Sequence, residues 1–225
     1  MNVTCIIPAA GLGKRFGGNV KKQFYEVLDK TVLYYTLTAL SRAYPFAEFI
    51  LGADPDDFLI LSKELAEAGI TSFQLVAGGA ERYETVYNCL KAAKTEYVLV
   101  HDAVRPFLSA DIVQNTIEAA KETGAAICAL PVRDTLKKIS GTGVEQTVNR
   151  DEYVLSHTPQ VFETATLKKA VENLEELEMM VTDEAQAMEL FGIRVKWVMS
   201  SPDNIKITYL NDMNVAEGLV RKYFS

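Results

Sequence analysis

The chain has 225 residues, of which 48% are hydrophobic, and its formal net charge is -7. This length and composition are sufficient for one domain with a sizeable buried core. The acidic balance argues against a nucleic-acid-binding surface, which needs a distributed basic stripe. No stretch is long and apolar enough to span a bilayer, and no basic and apolar signal segment opens the sequence, so no membrane partner is expected.

The three cysteines and two histidines indicate neither a disulfide framework nor a zinc site. Cys5, Cys89 and Cys128 each lie in an apolar run, and none has CxxC spacing. They predict buried, reduced thiols in a cytoplasmic protein. His101 and His157 have no second histidine or cysteine nearby that would suggest zinc binding.

Short apolar runs alternate with helical patterns along most of the chain. The predicted strands are Val3–Ile7, Phe49–Ala53, Phe73–Ala77, Tyr97–Val100, Ala126–Leu130 and Val195–Met199. Apolar helical stripes lie at 33–40 and 113–120, the second with Ser109 as its cap, and a third helix is predicted from Thr182 to Gly192. This alternation predicts an α/β sandwich with a mainly parallel sheet, in which ligands bind at the carboxyl ends of the strands.

A glycine-rich, basic segment follows the first predicted strand. Residues 8–18 have the sequence PAAGLGKRFGG, whose four glycines allow the backbone to approach a ligand closely. Within and just after it, four cations are concentrated on an otherwise acidic chain: Lys14, Arg15, Lys21 and Lys22. The pattern predicts a binding site for a polyanion such as a nucleoside triphosphate, whereas an ordinary glycine-rich connection would leave the cations unexplained.

Two other glycine motifs do not fit this segment. A P-loop needs a Ser or Thr directly after a Gly-Lys pair, which is absent here. The dinucleotide-binding fingerprint needs a third glycine where this chain has Phe16, so a dehydrogenase is not expected.

Gly78 and Gly79 follow the third predicted strand and open a predicted helix. Backbone N–H groups at such a helix start could contact a base or a ribose. A plain Gly-Gly turn is the alternative interpretation.

The segment VLVHDAVRPF, residues 98–107, places Asp102 at the end of an apolar strand. One carboxylate there is enough to hold Mg²⁺ against triphosphate oxygens, because magnesium usually takes one or two protein carboxylates together with phosphates. The alternative is that Asp102 pairs with Arg105 and only shapes the turn.

Residues 134–150 predict two polar strands joined at Gly141-Thr142-Gly143. Neither strand has an apolar face, and an isolated two-stranded hairpin is marginal in water, so we expect it to pack on another subunit. A simple edge hairpin on the main sheet is the alternative.

Near the C-terminus, Lys206 lies between Ile205 and Ile207. If this segment is a strand, the isoleucines face one side and the lysine the other. Such a lysine extends to solvent or points into a cleft, and solvent is the expectation from these residues alone.

Together these segments resemble the 2-C-methyl-D-erythritol 4-phosphate cytidylyltransferase family of the non-mevalonate isoprenoid pathway. The resemblance covers nearly the whole chain and rests on an ordered set of motifs: PAAGLGKRF, KKQF, GGAER, VLVHDAVRPF, PVRDTLK, VNRDEYVLSHTPQVF, TDEAQAMELF and NIKIT. It implies a three-layer αβα sandwich of the nucleotide-diphospho-sugar-transferase type with a mainly parallel mixed sheet. It also implies a single domain over residues 1–225, with a protruding β-arm at 134–157 through which a homodimer forms.

The resemblance further implies transfer of a cytidylyl group from CTP to methylerythritol phosphate, with Mg²⁺ or another divalent cation as cofactor. It assigns the phosphates of CTP to Arg15 and Lys22, and the substrate phosphate to Lys206 and a partner's Arg150. Other implied substrate contacts are Asp102, which also lies beside the metal, Arg105, Thr135 and Thr182. The implied nucleotide contacts are Ala9, Ala10, Gly11, Gly13, Gly78, Gly79, Arg82 and Thr85. For Thr182, a role as helix N-cap is the alternative.

The chain departs from the family pattern at a few positions. Lys21 replaces the usual proline before Lys22, so a fixed φ is lost there. Ala80 stands where an acidic residue near the base is common, and Thr85 where a serine is common.

Two other functions are compatible with parts of the pattern. A ribitol 5-phosphate cytidylyltransferase would share HDAVRPF and NIKIT, although residues 8–11 (PAAG) and the TDEAQAME run favour the methylerythritol enzyme. A non-catalytic nucleotide-binding module of the same fold is the alternative of another class. It would have no need for the cations assigned to the acceptor phosphate, Arg150 and Lys206.

Overall fold

The computed structural model describes residues 1–11, 20–176 and 179–224. Its strands are β1 (Val3–Pro8), β2 (Glu26–Val27), β3 (Lys30–Thr31), β4 (Glu48–Ala53), β5 (Phe73–Ala77), β6 (Tyr97–Val100), β7 (Ala125–Pro131), β8 (Lys137–Ser140), β9 (Gly143–Thr147), β10 (Val154–Glu163) and β11 (Lys196–Met199). Its α-helices are α1 (Val32–Ala43), α2 (Phe58–Glu67), α3 (Arg82–Ala92), α4 (Ala110–Thr123), α5 (Thr164–Glu176), α6 (Glu184–Leu190) and α7 (Asp212–Phe224). No helix within these ranges is long and apolar enough to cross a membrane.

The main sheet has seven strands in the order β11-β7-β10-β6-β1-β4-β5. All neighbouring pairs are parallel except the two that involve β10. The predicted mainly parallel mixed sheet is therefore confirmed. The carboxyl ends of β1, β4, β5 and β6 lie at one edge, where ligands bind in sheets of this kind.

Helices cover both faces of the sheet. On one face α1, α2 and α4 pack through Leu37, Leu61 and Ile117 against the buried Cys5 and Leu99 of the strands. On the other face α3, α5 and α6 pack against the alternate strand residues, since successive side chains of a strand point to opposite faces. The structure confirms the three-layer αβα sandwich.

The helix predicted to begin at Thr182 begins two residues later. Asp183 is the N-cap of α6, and its Oδ1 accepts the N–H of Gln186 at 3.0 Å. The hydroxyl of Thr182 instead contacts the side-chain oxygen of Gln186 at 3.1 Å. The N-cap role that the sequence suggested for Thr182 is therefore wrong.

The strand β10 was missed by the sequence prediction, which placed no strand between residues 151 and 194. Its pairing with β7 shifts register between His157 and Gln160, around Thr158 and Pro159. Proline in a run argues against a regular central strand, and here a bulge accommodates it. Because Val154 already pairs with Pro131 in the main sheet, residues 154–157 belong to the sheet and not to the arm.

The hairpin of β8 and β9 matches the two strands predicted within 134–150. It forms a separate two-stranded sheet without hydrogen bonds to the main sheet, so the alternative of an edge hairpin is wrong. Every residue of both strands is exposed, including Ile139 at 66% and Val144 at 64% of their surface. The described chain offers no cover for these two apolar side chains.

Gly52 in β4 marks the closest approach of α3 to the sheet. A Cβ atom at this position would lie 2.5 Å from Cγ2 of Thr85 and 2.7 Å from Sγ of Cys89. We expect Gly52→Ala to lower the free energy of unfolding by about 1–3 kcal/mol through overpacking, measured by urea denaturation. The control is Gly218→Ala in α7, where nothing lies within 4 Å of the added methyl group and helix propensity favours alanine. A Gly52→Ala variant as stable as the wild type would contradict this account.

Candidate active site

A cavity of about 460 Å³ opens at the carboxyl edge of the sheet. Four segments line it: the residues after β1, the loop between β5 and α3, the residues after β6, and residues 206–208. Its lining includes Ala9, Ala10, Gly11, Lys22, Gln23, Gly79, Arg82, Thr85, Asp102 and Lys206. The size suits a small-molecule ligand. Most of the sequence-predicted site residues thus lie together.

The segment after β1 is fixed by backbone and side-chain hydrogen bonds. The N–H of Ala9 donates to the carbonyl of Gly52 at 2.7 Å, and the buried side chain of Gln23 donates to the carbonyl of Ala9 at 2.7 Å. Next to Gln23, the Lys22 ammonium lies 3.4 Å from the carbonyl of Ile207. Two residues assigned to this segment, Gly13 and Arg15, lie outside the described residues.

The paired glycines after β5 allow two loops to pack against each other. A Cβ atom on Gly78 would lie 2.4 Å from Cβ of Ala10, and one on Gly79 would lie 2.3 Å from Cβ of Glu84. Close approach, and not an unusual φ, is the reason for glycine at both positions. Gly79 lines the cavity, whereas Gly78 supports the loop from behind.

The backbone N–H groups of this loop are directed into the protein, contrary to the expectation that they contact a ligand. The amide of Gly78 donates to the carbonyl of Ala53 at 2.8 Å, and that of Gly79 to the hydroxyl of Thr85 at 3.0 Å. The amide of Ala80 donates to the carboxylate of Glu84 at 2.7 Å. These three amides are therefore not available to a ligand in the cavity.

Asp102 is the electrostatic centre of the site. Its Oδ2 lies 2.8 Å from the ammonium of Lys206 and 3.3 Å from Nε of Arg105, while Oδ1 lies 3.4 Å from Nε of Arg82. Burial alone would raise the pKa of Asp102, but these three positive charges outweigh it and hold the pKa well below its usual range. Asp102 is thus an ionised carboxylate, and its backbone N–H is held by the hydroxyl of Thr158 at 3.0 Å.

The guanidinium of Arg82 is held on its far side by Glu184, which lies in the first turn of α6. One guanidinium nitrogen of Arg82 lies 2.7 Å and 3.0 Å from the two carboxylate oxygens of Glu184, which is 3% exposed. Burial lowers the pKa of Arg82, but Glu184 and then Asp102 raise it further, with a net upward shift. An acidic residue in the first turn of a helix is common, so nothing local distinguished Glu184 as a partner of Arg82.

Lys206 points into the cavity, so the expectation that it extends to solvent is wrong. The segment 204–208 is not a strand. It is fixed by Asn204, whose side chain donates to the carbonyl of Thr158 at 2.9 Å, and by the N–H of Ile207, which donates to the carbonyl of Val104 at 3.0 Å. These bonds direct Lys206 towards Asp102.

Arg105 lies beneath the cavity and does not line it. It is 7% exposed, and it donates to the carbonyl of Asn204 at 2.7 Å as well as to Asp102. The alternative in which Asp102 pairs with Arg105 is therefore observed, but it accounts for only one of the three cations around this carboxylate.

Three further predicted residues do not lie in the cavity of this chain. Thr135 and Thr182 are exposed and absent from its lining. Arg150 is also exposed, and its guanidinium donates to the backbone carbonyl of Arg133 at the base of the hairpin. If these residues contact a substrate, closure of the site or a second subunit must bring them to it.

The sequence and the fold are similar to those of known proteins. Residues 3–222 match the family model described as IspD, 2-C-methyl-D-erythritol 4-phosphate cytidylyltransferase. The chain belongs to this family. A relative of that name from Lysinibacillus sphaericus is 36% identical over 225 residues, covering 99% of this chain and 97% of the relative. Another from Aeromonas hydrophila is 39% identical over 215 residues, covering 95% and 88%.

Solved structures of the family have the same fold. The 4-diphosphocytidyl-2C-methyl-D-erythritol synthase from Anaerococcus prevotii superposes with a TM-score of 0.86 at 34% identity, covering 98% of both chains. The 2-C-methyl-D-erythritol 4-phosphate cytidylyltransferase from Thermus thermophilus gives a TM-score of 0.80 at 34% identity, covering 98% of this chain and all of that one. The family resemblance inferred from the ordered motifs is confirmed, and the ribitol phosphate alternative is not favoured.

His101, next to Asp102, makes folding of this family member sensitive to acid. Its ring is fully buried, which lowers its pKa to about 4, and its Nε2–H donates to the carbonyl of Arg105 at 2.9 Å. The unfolded chain binds this proton near pH 6.5, so the free energy of unfolding should fall as the pH drops from about 6.5 to about 4. The loss from this group should reach roughly 3 kcal/mol.

The measurement is urea denaturation at several pH values, comparing wild type with His101→Gln. Glutamine keeps a donor for the carbonyl of Arg105 but does not titrate. We expect a flatter pH dependence in this variant between pH 6.5 and 4, while the loss at lower pH from carboxylates remains. Parallel curves for the two proteins would contradict the assignment.

Proposed function

We propose that the chain transfers a cytidylyl group from CTP to 2-C-methyl-D-erythritol 4-phosphate and releases pyrophosphate. The observation that carries this proposal is the convergence of Lys22, Arg82 and Lys206 on a cavity whose central carboxylate, Asp102, remains ionised. The relatives of the same name support the choice of both substrates.

The reaction requires the placement of two anions and no general base. A phosphate monoester with a second pKa of about 6 is largely dianionic at neutral pH, so its oxygen is already a nucleophile. That oxygen forms a bond to the α-phosphorus of CTP, while the bond from this phosphorus to the α,β-bridging oxygen breaks and pyrophosphate leaves. Because the reactants repel each other, the main contribution of the protein is positive charge held in place.

Lys22 and Lys206 divide this task. Lys22 follows the glycine-rich segment and stabilises charge that develops at the α-phosphate, together with Arg15 as the family resemblance implies. Lys206 contacts Asp102 and its side chain is 33% exposed, which suits the incoming phosphate. Asp102 keeps the Lys206 ammonium oriented until the acceptor phosphate arrives.

The loop between β5 and α3 favours cytosine as the base. The amides of Gly78, Gly79 and Ala80 already donate within the protein, so the loop does not offer these donors to the base. Cytosine carries an amino group at C4 where uracil carries an oxygen. The lack of free amide donors at these positions disfavours UTP, because O4 of uracil would need a hydrogen-bond donor.

Asp102 is also the residue that fits a magnesium ion. Its carboxylate is a hard oxygen donor at the cavity wall, and the Arg82 contact to Oδ1, at 3.4 Å, is long enough to leave that oxygen available. No group of three or more His, Cys, Asp or Glu side chains suited to a metal occurs among residues 1–11, 20–176 and 179–224. The metal would rely on one carboxylate plus phosphate oxygens, and it would neutralise phosphate charge.

The buried, free thiols of Cys5, Cys89 and Cys128 support a cytoplasmic location. Burial raises the pKa of Cys89 and that of Cys128 to about 12, so neither is a reactive thiolate at neutral pH.

The first test is pyrophosphate release with CTP and Mg²⁺, offering methylerythritol 4-phosphate and ribitol 5-phosphate in separate reactions. Release is expected with the former alone, less with UTP, and none after chelation of the metal. Lys22→Ala should lower turnover by about a hundredfold, the scale of losing one oxyanion donor. Release with ribitol phosphate alone would contradict the proposed substrate, and binding of CTP without any release would favour the non-catalytic module.

We further propose that the hairpin of β8 and β9 joins two copies of the chain. The two strands expose Ile139 and Val144, which a second copy would cover. Arg150 follows β9 at the base of the same hairpin, outside the cavity of its own subunit. In a dimer it could reach the acceptor phosphate of the neighbouring site, next to Lys206.

Trans-complementation tests this arrangement. Lys22→Ala and Arg150→Ala subunits with different tags are co-expressed, and the mixed dimer is isolated. One of its two sites would contain both wild-type residues, so about half of the wild-type turnover should return.

A matched control is the mixed dimer of Lys22→Ala and Lys206→Ala. These residues line the same cavity, so each site would lack one of them and no activity should return. Recovery in neither mixed dimer would place Arg150 in its own subunit's site, and a monomeric protein in gel filtration would contradict the dimer itself.

A further inference from the structure

Lys21 lies next to Lys22 but points away from the cavity. Its ammonium lies 2.6 Å from Oδ2 of Asp57 and 3.4 Å from Oδ2 of Asp54. The side chains of Lys21 and Asp57 are 19% and 16% exposed, so this ion pair is partly shielded from solvent. The two carboxylates keep the pKa of Lys21 raised against the lowering effect of its burial.

This ion pair joins two neighbouring loops at the active edge of the sheet. Lys21 belongs to the connection that follows β1, whereas Asp54 and Asp57 belong to the turn that follows β4. Because β1 and β4 are adjacent and parallel, the two loops leave the sheet side by side. Lys21 therefore does not add to the positive charge of the phosphate site, as the clustering of cations in the sequence suggested.

The element that carries Lys22 has little stability of its own. It is a single turn of 3-10 helix, Lys22–Phe24, with Lys21 as its N-cap residue and no side-chain capping bond. Gln23 fixes the middle of this turn to the carbonyl of Ala9, and Phe24 packs against the core. Lys21 fixes its beginning, directly before the lysine that lines the cavity.

The backbone at Lys21 has the conformation of a proline. Its φ is -60° and its ψ is 131°. Its N–H has no acceptor among the described residues, so a proline ring would cost no hydrogen bond within that part of the chain. The same backbone geometry can thus be held by a ring or by an ionic contact of the side chain.

We infer that Lys21 is a positioning residue that uses its ion pair with Asp57 and Asp54 to hold Lys22 in the nucleotide site. We call this ion pair of Lys21 with Asp57 and Asp54 the latch. Without it, the turn Lys22–Phe24 would remain folded but would sample orientations in which the Lys22 ammonium is misplaced. The effect on kcat for pyrophosphate release rests on the proposed function. The effect on the conformational order of the turn Lys22–Phe24 does not depend on that function.

The kinetic test compares three substitutions. Lys21→Met keeps the aliphatic stem and removes the charge, so kcat for pyrophosphate release should fall about fivefold with KM for the acceptor unchanged. Lys21→Pro restores φ without charge and should recover most of that loss. Asp57→Asn should match Lys21→Met, and the double variant should be no slower than either single variant, because both remove one interaction.

Two further comparisons separate the latch from general effects. Lys30→Met removes another ion pair, with Glu67 at 2.7 Å, that lies away from the cavity, and it should leave kcat unchanged. Added salt should lower kcat more in the wild type than in Lys21→Pro. Dissolved ions screen the ion pair of Lys21, whereas they do not affect the constraint that a proline ring places on φ.

Amide hydrogen exchange provides a readout that does not depend on activity. The N–H of Phe24 donates to the carbonyl of Lys21 at 2.9 Å, and the N–H of Tyr25 to that of Lys22 at 3.2 Å. Both should exchange faster in Lys21→Met and return towards the wild-type rate in Lys21→Pro. If the wild type releases no pyrophosphate, the proposed function fails while this measurement still decides the latch.

The inference is overturned if Lys21→Met equals the wild type in both kcat and amide exchange. It is also overturned if Lys21→Pro is folded and no better than Lys21→Met, because charge and not position would then be the contribution of Lys21. If Lys21→Pro does not fold, a double variant of Lys21→Met and Asp57→Asn that is additive would overturn it.

Discussion

The site depends on one carboxylate, Asp102, that is buried and surrounded by three cations. A buried charge is stable only when it is compensated, and Arg82, Arg105 and Lys206 provide that compensation. Each of these cations comes from a different part of the chain, so the carboxylate gathers the loop after β5, the turn after β6 and the C-terminal segment around one point. Arg82 and Lys206 also line the cavity, so an anionic substrate that enters meets positive charge that is already in place.

The supporting residues are as important as those that line the cavity. Glu184 holds Arg82 from the far side, Thr158 holds the backbone of Asp102, and Asn204 holds the segment that carries Lys206. Preorganised charge is the main source of rate in reactions of this type, because no reorganisation is then needed as charge develops. The rigid sheet provides the frame, and short polar contacts set the final positions of the side chains.

Local patterns in the sequence were sufficient for most of the sheet, the glycine-rich segment and the placement of Asp102 at a strand end. They failed where a long-range contact decides the outcome. Lys206 was expected in solvent because the residues around it give no indication of its contact with Asp102, which is 104 positions earlier. The amides of Gly79 and Ala80 were expected to face a ligand, but the hydroxyl of Thr85 and the carboxylate of Glu84, both in the first turn of α3, accept them instead. The strand β10 was missed because its proline is accommodated by a bulge.

The direction of β10 determines where the arm emerges. In a purely parallel sheet every strand begins at the edge opposite to the one that carries the active site. A segment inserted just before a strand would therefore project from that opposite edge. The antiparallel β10 begins at the active edge, where Val154 pairs with Pro131 at the end of β7. A hairpin inserted between these two strands therefore projects from the catalytic side of the molecule. A longer or shorter hairpin would leave the strand order unchanged. The reach of the hairpin from the sheet can therefore change in evolution independently of the catalytic centre.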